Sequence, residues 1–376
     1  MTTRVTQDGA VGLGSSFTQG GYETAYIGKW HAHGSPEGRL ERRAAFVPAE
    51  SRFGFGGGLF KAFECSHNYN ESPYFDGDDP TLRHWEGYDT IAQTDAMCRF
   101  LRSREQSDAP FFAALSWGTP HDPYDTAPEE YRALYPPGCA LELRPNIPAD
   151  SVERATEELR GYYAHIAALD DCMGTLLRCL EETGLASDTI VCFTSDHGDM
   201  IGCQGIRGKH VPWDESIRVP FLVRIPPSVE PTANGRRIPL LMDAPDIMPT
   251  LLGLCELPIP ATVQGRDLSA TILGKEEVDP EMSCLLKVPV PCKRMPAAGR
   301  WLLADPSCWR QITGCGRRAS RSFGECVRGP TLTCETSGAR GCSTTTSPTR
   351  TSRPTCSGLP ARRPWRPSWR RCSRAG

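Results

Sequence analysis

Short continuous apolar runs alternate with longer amphipathic stretches over the first 283 residues of this 376-residue chain. Four runs predict strands: "TAYIG" (24–28), "PFFAALSW" (110–117), "TIVCFTS" (189–195) and "VPFLVRI" (219–225). Their apolarity is unbroken rather than alternating, which predicts strands covered on both faces, as in an α/β protein with a largely parallel sheet. Between the second and third, residues 153–183 carry Leu159, Tyr162, Tyr163, Ile166, Leu169, Met173, Leu176, Leu177 and Leu180 at helical spacing. That pattern predicts one long helix with this stripe against the core and Gly184 as its stop. A second helix is predicted over 90–104. A third follows Asp243, which can cap "APDIMPTLLGLC" with Pro245 in the first turn.

Two stretches break the alternation. Residues 35–89, with "RFGFGGGLF" and "HNYNESPYFDGDDP", are rich in Gly, Pro, Asn and aromatics. They predict a long irregular segment, either a substrate-shaping insertion or a surface excursion. From residue 284 onward periodicity stops altogether, which divides the chain into a domain over 1–283 and a tail over 284–376.

Charge sharpens that boundary. Residues 284–376 hold 18 Lys and Arg against Asp305, Glu325 and Glu335, whereas the other 283 residues hold 24 basic and 42 acidic side chains, so the overall charge of −3 conceals two opposite halves. Nine of the 17 cysteines also fall in the tail. Three readings fit it: a basic arm for nucleic acid, a cysteine-rich module, or a stretch translated out of frame. Arg, Pro, Ser, Cys and Trp enriched while Lys, Asp, Glu and Ile are scarce favours the last. On any of them the tail is expected to be disordered. The first twenty residues lack the apolar core of a signal peptide, and no run approaches the ~18 apolar residues of a membrane span. A cytoplasmic location and no membrane partner are the resulting expectations.

The chemistry is concentrated where strands end. "CFTSDHGDMIG" (192–202) places Asp196 and His197 just beyond a strand, where open α/β sheets bind ligands, with Gly198 to turn the backbone. An acidic oxygen beside an imidazole is half of a divalent-metal site. "GIRGKHVPWDESIRVP" (205–220) offers Lys209 in a Gly-flanked loop, and "SWGTPHDPY" (116–124) offers His121 among prolines. "YIGKWHAHG" (26–34) adds Lys29 and His31 after the first strand. Four strand ends each presenting a cation or metal ligand suit a tetrahedral oxyanion. His33 reads as a loop histidine and Trp30 as packing. Asp214, Glu215 and Arg218 read as supports for the Lys209 loop, and the cluster His67, Asn68, Tyr69, Asn70 as specificity candidates or a solvated loop.

"GYETAYIGKWH", "PHDPY", "FTSDHGDMIG" and "GKHVPWDESIRVP", in that order over residues 12–283, resemble the motifs of the sulfatase family in the alkaline-phosphatase-like superfamily. The resemblance implies an α/β fold with a mixed, mostly parallel sheet flanked by helices, and hydrolysis of sulfuric monoesters. Carried over by position, it implies that Asp196 and His197 ligate a divalent cation, usually Ca2+. Lys29 and His31 would hold the nucleophile and the sulfate. His121 and Lys209 would bind sulfate oxygens and help protonate the departing alkoxide. Phosphonate or phosphate ester hydrolysis on the same scaffold is the alternative; a non-catalytic remnant with a basic tail is another.

The family's formylglycine comes from a Cys/Ser-x-Pro-x-Arg motif on a helix upstream of the "GKWH" signature, and two further Asp metal ligands come from its first strand. Neither occurs before Lys29, so the expectation is a domain lacking its first strand and nucleophile helix, with impaired turnover. "TSPTR" (346–350) is a chance near match with Thr at the reactive position.

Overall fold

The computed structural model describes residues 11–33, 46–286 and 325–328. Its main sheet has five strands: β1 (Glu23–Lys29), β2 (Leu59–Phe63), β3 (Pro73–Asp76), β4 (Asp79–His84) and β5 (Phe111–Ser116). The spatial order is β4-β3-β2-β1-β5. β1 runs parallel to both β2 and β5, while β2, β3 and β4 pair antiparallel, so the expected mixed sheet is present. Three of the five strands fall inside 35–89. Short strands interrupted by Gly and Pro hide there because β4 is exposed along most of its length and shows no apolar period. Residues 46–89 are therefore an integral sheet edge rather than an irregular loop.

β1 is the centre of the molecule, buried along six of its seven residues. Ala25 and Ile27 face Ala96, Met97 and Phe100 of a helix, Asp89–Ser103 (α2, after the short α1, Leu13–Gln19). On the opposite face Tyr26 packs with Trp30, Phe60 and Ala62. Trp30 is thus a packing residue, stacked on Phe53 at 5.7 Å between centroids. Gly28 is required here: its φ is +111°, and a Cβ would lie 2.1 Å from the Ser116 carbonyl of β5.

The long helix α3 spans Val152–Glu182 and stops at Thr183, with Gly184 left-handed at φ +73°, as predicted. Of the predicted stripe Leu169 and Leu180 are buried, and beside them Ala164, Ala168, Cys172 and Cys179 are buried too, because small side chains let α2 and the loop after β5 approach closely. Ile166 is 40% exposed, and Leu159, Met173 and Leu177 face a large cavity instead of a packed core.

β6 (Val191–Thr194) and β7 (Phe221–Arg224) also depart from expectation: they form a separate antiparallel pair, half-buried rather than covered on both faces. Helix α4 (Ala244–Leu254) closes this part, with Asp243 and Asp246 making a reciprocal capping box and Pro245 in the first turn, as predicted. A last antiparallel pair joins β8 (Ser283–Leu286) to β9 (Glu325–Arg328), so seven residues of the stretch 284–376 are paired in strands. The rest of the tail, including "TSPTR", lies outside the described residues. Among the described residues no helix is long and apolar enough to cross a membrane.

Candidate active site

Strand ends build the site. Lys29, the last residue of β1, is buried. The parallel pairing of β1 with β2 and β5 brings the segments after all three strands to the same edge. His67 follows β2 and His121 follows β5. Lys29 Nζ lies 3.4 Å from His67 Nε2, and the His67 and His121 rings are 4.2 Å apart. Lys209 comes from the loop between β6 and β7, and its Nζ is 2.5 Å from His121 Nε2. Two ammonium groups therefore flank two imidazoles in one continuous row.

Burial sets the protonation of that row. His67 is pushed down to about 3 by desolvation first, then by the neighbouring His121 and Lys29 charges. His121 is lowered for the same reasons, burial leading and Lys209 and Lys29 adding. Both imidazoles are consequently neutral at pH 7. The Nδ1 of His121 is 3.0 Å from the Asp122 carbonyl and 2.8 Å from its carboxylate, so Nδ1–H donates there and the Nε2 lone pair accepts from Lys209. Lys209 lies below the ordinary lysine value because it is desolvated and faces Lys29, an effect opposed by Asp196, Asp199 and Asp122.

Tertiary contacts hold His121 in place. Tyr69 is fully buried, and its hydroxyl lies 2.9 Å from the His121 carbonyl and 3.2 Å from that of Gly118. His165 of α3 reaches the same loop: its Nε2–H donates to the Pro123 carbonyl at 3.2 Å while Nδ1 accepts from Tyr88 at 2.5 Å. Tyr124 donates to Asp199 at 2.6 Å, which ties the loop after β5 to the loop after β6.

His197 joins from the β6 side, its ring 5.7 Å from that of His121. Its neighbour Asp196 is 77% exposed and 3.5 Å away. Gly198 is needed for close approach rather than for a turn, since a Cβ there would sit 2.0 Å from the Glu215 carbonyl. Glu215 in turn holds Asn146 at 2.7 Å, so it anchors the Lys209 loop as predicted. His31 leaves β1 with φ +53° and its N–H on the Glu64 carbonyl, and lines the same cavity as Lys29. His33 is a loop histidine, 2.9 Å from Ser51 Oγ.

Calcium takes about 6–8 oxygen ligands. Asp196 and His197 offer one carboxylate and one imidazole, and among the described residues no group of three or more His, Cys, Asp or Glu is placed to hold a metal. These donors do not make a calcium site by themselves. What the described cluster supplies is ammonium and imidazole chemistry.

Sequence reasoning placed Lys29, His121 and Lys209 at the site and left His67 undecided. The signal for His67 was its position just past the apolar run "LFKAF", which is a strand parallel to the two that carry the other site residues.

The sulfatase family model matches residues 5–257. The chain belongs to the sulfatase family. The chain is 42% identical over 267 residues to an ulvan-active sulfatase of Formosa agariphila, covering 70% of this chain and 50% of that one. It is 32% identical over 289 residues to an endo-4-O-sulfatase of Bacteroides thetaiotaomicron, covering 70% and 54%. The chain thus spans about half the length of these two relatives. Among solved structures, the Bacteroides fragilis sulfatase yidJ superposes with a TM-score of 0.67 at 25% identity, over 75% of this chain and 63% of that one. A phosphonate monoester hydrolase of Agrobacterium radiobacter shares the fold alone, with a TM-score of 0.53 at 21% identity over 75% and 66%.

Proposed function

We propose that this chain binds and hydrolyses sulfuric monoesters of carbohydrates. The row Lys29, His67, His121, Lys209 is the observation that carries this reading, because it concentrates positive charge and hydrogen-bond donors at one partly desolvated edge. The ulvan-active and endo-4-O-sulfatase relatives support the carbohydrate class.

A sulfate monoester resists attack until its peripheral oxygens are neutralised and its leaving oxygen is protonated. Lys29 and Lys209 supply the first requirement. Lys209 also serves the second: its depressed pKa makes it a better acid than an ordinary lysine, and a proton passed along its 2.5 Å bond to His121 Nε2 goes on from that nitrogen to the leaving oxygen. Asp122 then stabilises the imidazolium through Nδ1–H. Calcium and formylglycine belong to the family's chemistry; here Asp196 and His197 are the residues that would contribute to a cation site completed by further donors.

Titration of the full chain with an aryl sulfate and with an oligosaccharide sulfate, beside matched phosphate and phosphonate esters, tests the proposal. Sulfate-ester binding that a Lys209→Ala substitution removes supports it; equal or tighter binding of the phosphonate, or binding indifferent to Lys209, sinks it. Hydrolysis of the sulfate ester that Lys209→Ala slows is expected in the same samples.

A further inference from the structure

Glu64 directly follows β2 and is completely buried, at 0% exposure. A buried carboxyl group is costly unless its oxygens are engaged. Its Oε2 accepts the backbone N–H of His33 at 3.0 Å. Its own backbone carbonyl accepts the N–H of His31 at 2.8 Å, and the carbonyl of Phe63 accepts that of Trp30, also at 2.8 Å. One residue therefore grips the segment after β1 on both sides of Ala32.

That segment needs holding. His31 has φ +53°, in the left-handed region that residues with a Cβ seldom enter, and such a conformation persists only where its surroundings over-determine it. Four hydrogen bonds do so here. The Tyr26 hydroxyl donates to the Lys29 carbonyl at 2.5 Å, and the other three end on Phe63 and Glu64. Two of those three are backbone pairings that any residue at 63 or 64 supplies. The third needs a carboxyl or amide oxygen at the reach of Glu64, so it alone depends on that side chain. Three residues further on, His67 lies 3.4 Å from Lys29 Nζ. Glu64 thus ties together the two chain segments that carry Lys29, His31 and His67.

We propose that Glu64 is a positioning residue for His31: its side chain, through the His33 N–H, locks the left-handed turn that sets the His31 ring at the Lys29 end of β1. Glu64 touches no substrate in this role. Its consequence for ester binding rests on the function proposed above, whereas its hold on the His31 ring does not.

Histidine Cε1–H signals in the proton NMR spectrum of the ligand-free full chain test it first, with that of His31 identified by its loss in His31→Ala. Glu64→Met keeps the side-chain length and removes the acceptor. Glu64→Asp keeps the charge and falls one methylene short, and Glu64→Gln keeps an acceptor oxygen at the same reach. The His31 signal is expected to move in Glu64→Met and Glu64→Asp and to stay in Glu64→Gln, while that of His197 stays in all three. Titration with para-nitrophenyl sulfate reads the consequence: affinity falls about tenfold or more in Glu64→Met and Glu64→Asp, and less than about threefold in Glu64→Gln. In a His31→Ala background Glu64→Met should add less than about twofold, because a residue that acts through another has nothing further to lose. An unmoved His31 signal in Glu64→Asp, a Glu64→Gln chain as altered as Glu64→Asp, or losses that add in the double variant overturns the proposal; Glu64→Asp and Glu64→Gln decide it even where Glu64→Met does not fold. A wild type that binds no sulfate ester would sink the proposed function instead, and the His31 signals would still decide the role of Glu64.

Discussion

Lys209 Nζ stands 2.5 Å from His121 Nε2, although 88 residues separate them. A loop from the β6–β7 pair thus delivers the ammonium whose acceptor is fixed by the main sheet. Replacing Lys209 by Met should lower the affinity for a sulfate ester by about 10–100-fold, the usual range for a charge-assisted hydrogen bond. Calorimetric titration at constant ionic strength measures this. In the wild type the affinity should fall as pH rises through the Lys209 pKa, which lies below the ordinary lysine value.

Tyr69 and His165 touch no predicted sulfate position, yet they set where His121 lies. Tyr69→Phe should cost about 1–3 kcal/mol in unfolding free energy, because buried carbonyls lose their donor. It should also weaken sulfate-ester binding with no change in the charge of the site. Urea denaturation and titration on the same preparation separate the two effects; unchanged affinity at lowered stability would confine Tyr69 to the scaffold.

His67 makes stability pH-dependent. Its folded pKa of about 3 lies below the unfolded value near 6.5, so the unfolded chain binds a proton that the folded chain refuses. The contribution is complete above about pH 6.5 and is lost as the pH falls toward 3. His165, lowered to about 4 by burial, acts in the same direction. His67→Gln should therefore flatten the fall in urea midpoint between pH 6.5 and 4 without abolishing it, since His165 and His121 are lowered as well.

Gly28→Ala places a methyl group against the Ser116 carbonyl at a positive φ. A loss of roughly 2–4 kcal/mol is expected, together with displacement of Lys29, since the clash lies in the register of β1 with β5. Thermal unfolding checks the first effect and loss of sulfate-ester binding the second. A stable variant with normal binding would show that β1 can shift without disturbing the site.

Much of this was local and therefore legible in the sequence. Helix α4 follows from Asp243, Pro245 and Asp246, because a cap is made by neighbouring residues. The end of α3 follows from Gly184, and the family motifs around Lys29, His121 and Lys209 mark strand ends. The short edge strand β4 was not legible, since an exposed strand needs no apolar period and takes its shape from the neighbour it pairs with. His67 was equally hidden: a loop histidine and a site histidine look the same until strand pairing decides where the loop returns.

The leucines of α3 mark the limit of both kinds of evidence. Their spacing alone determined a helix and one apolar face, because helical periodicity is a property of the local chain. Which residues that face meets is a long-range matter, and only the tertiary structure divided it, packing Leu169 and Leu180 into the core and leaving Leu159, Met173 and Leu177 on the wall of a cavity. The same division holds for the site. Sequence determined which ammonium and imidazole groups stand at strand ends, whereas packing decided that His121 is neutral, which of its nitrogens carries the proton, and which lysine it faces.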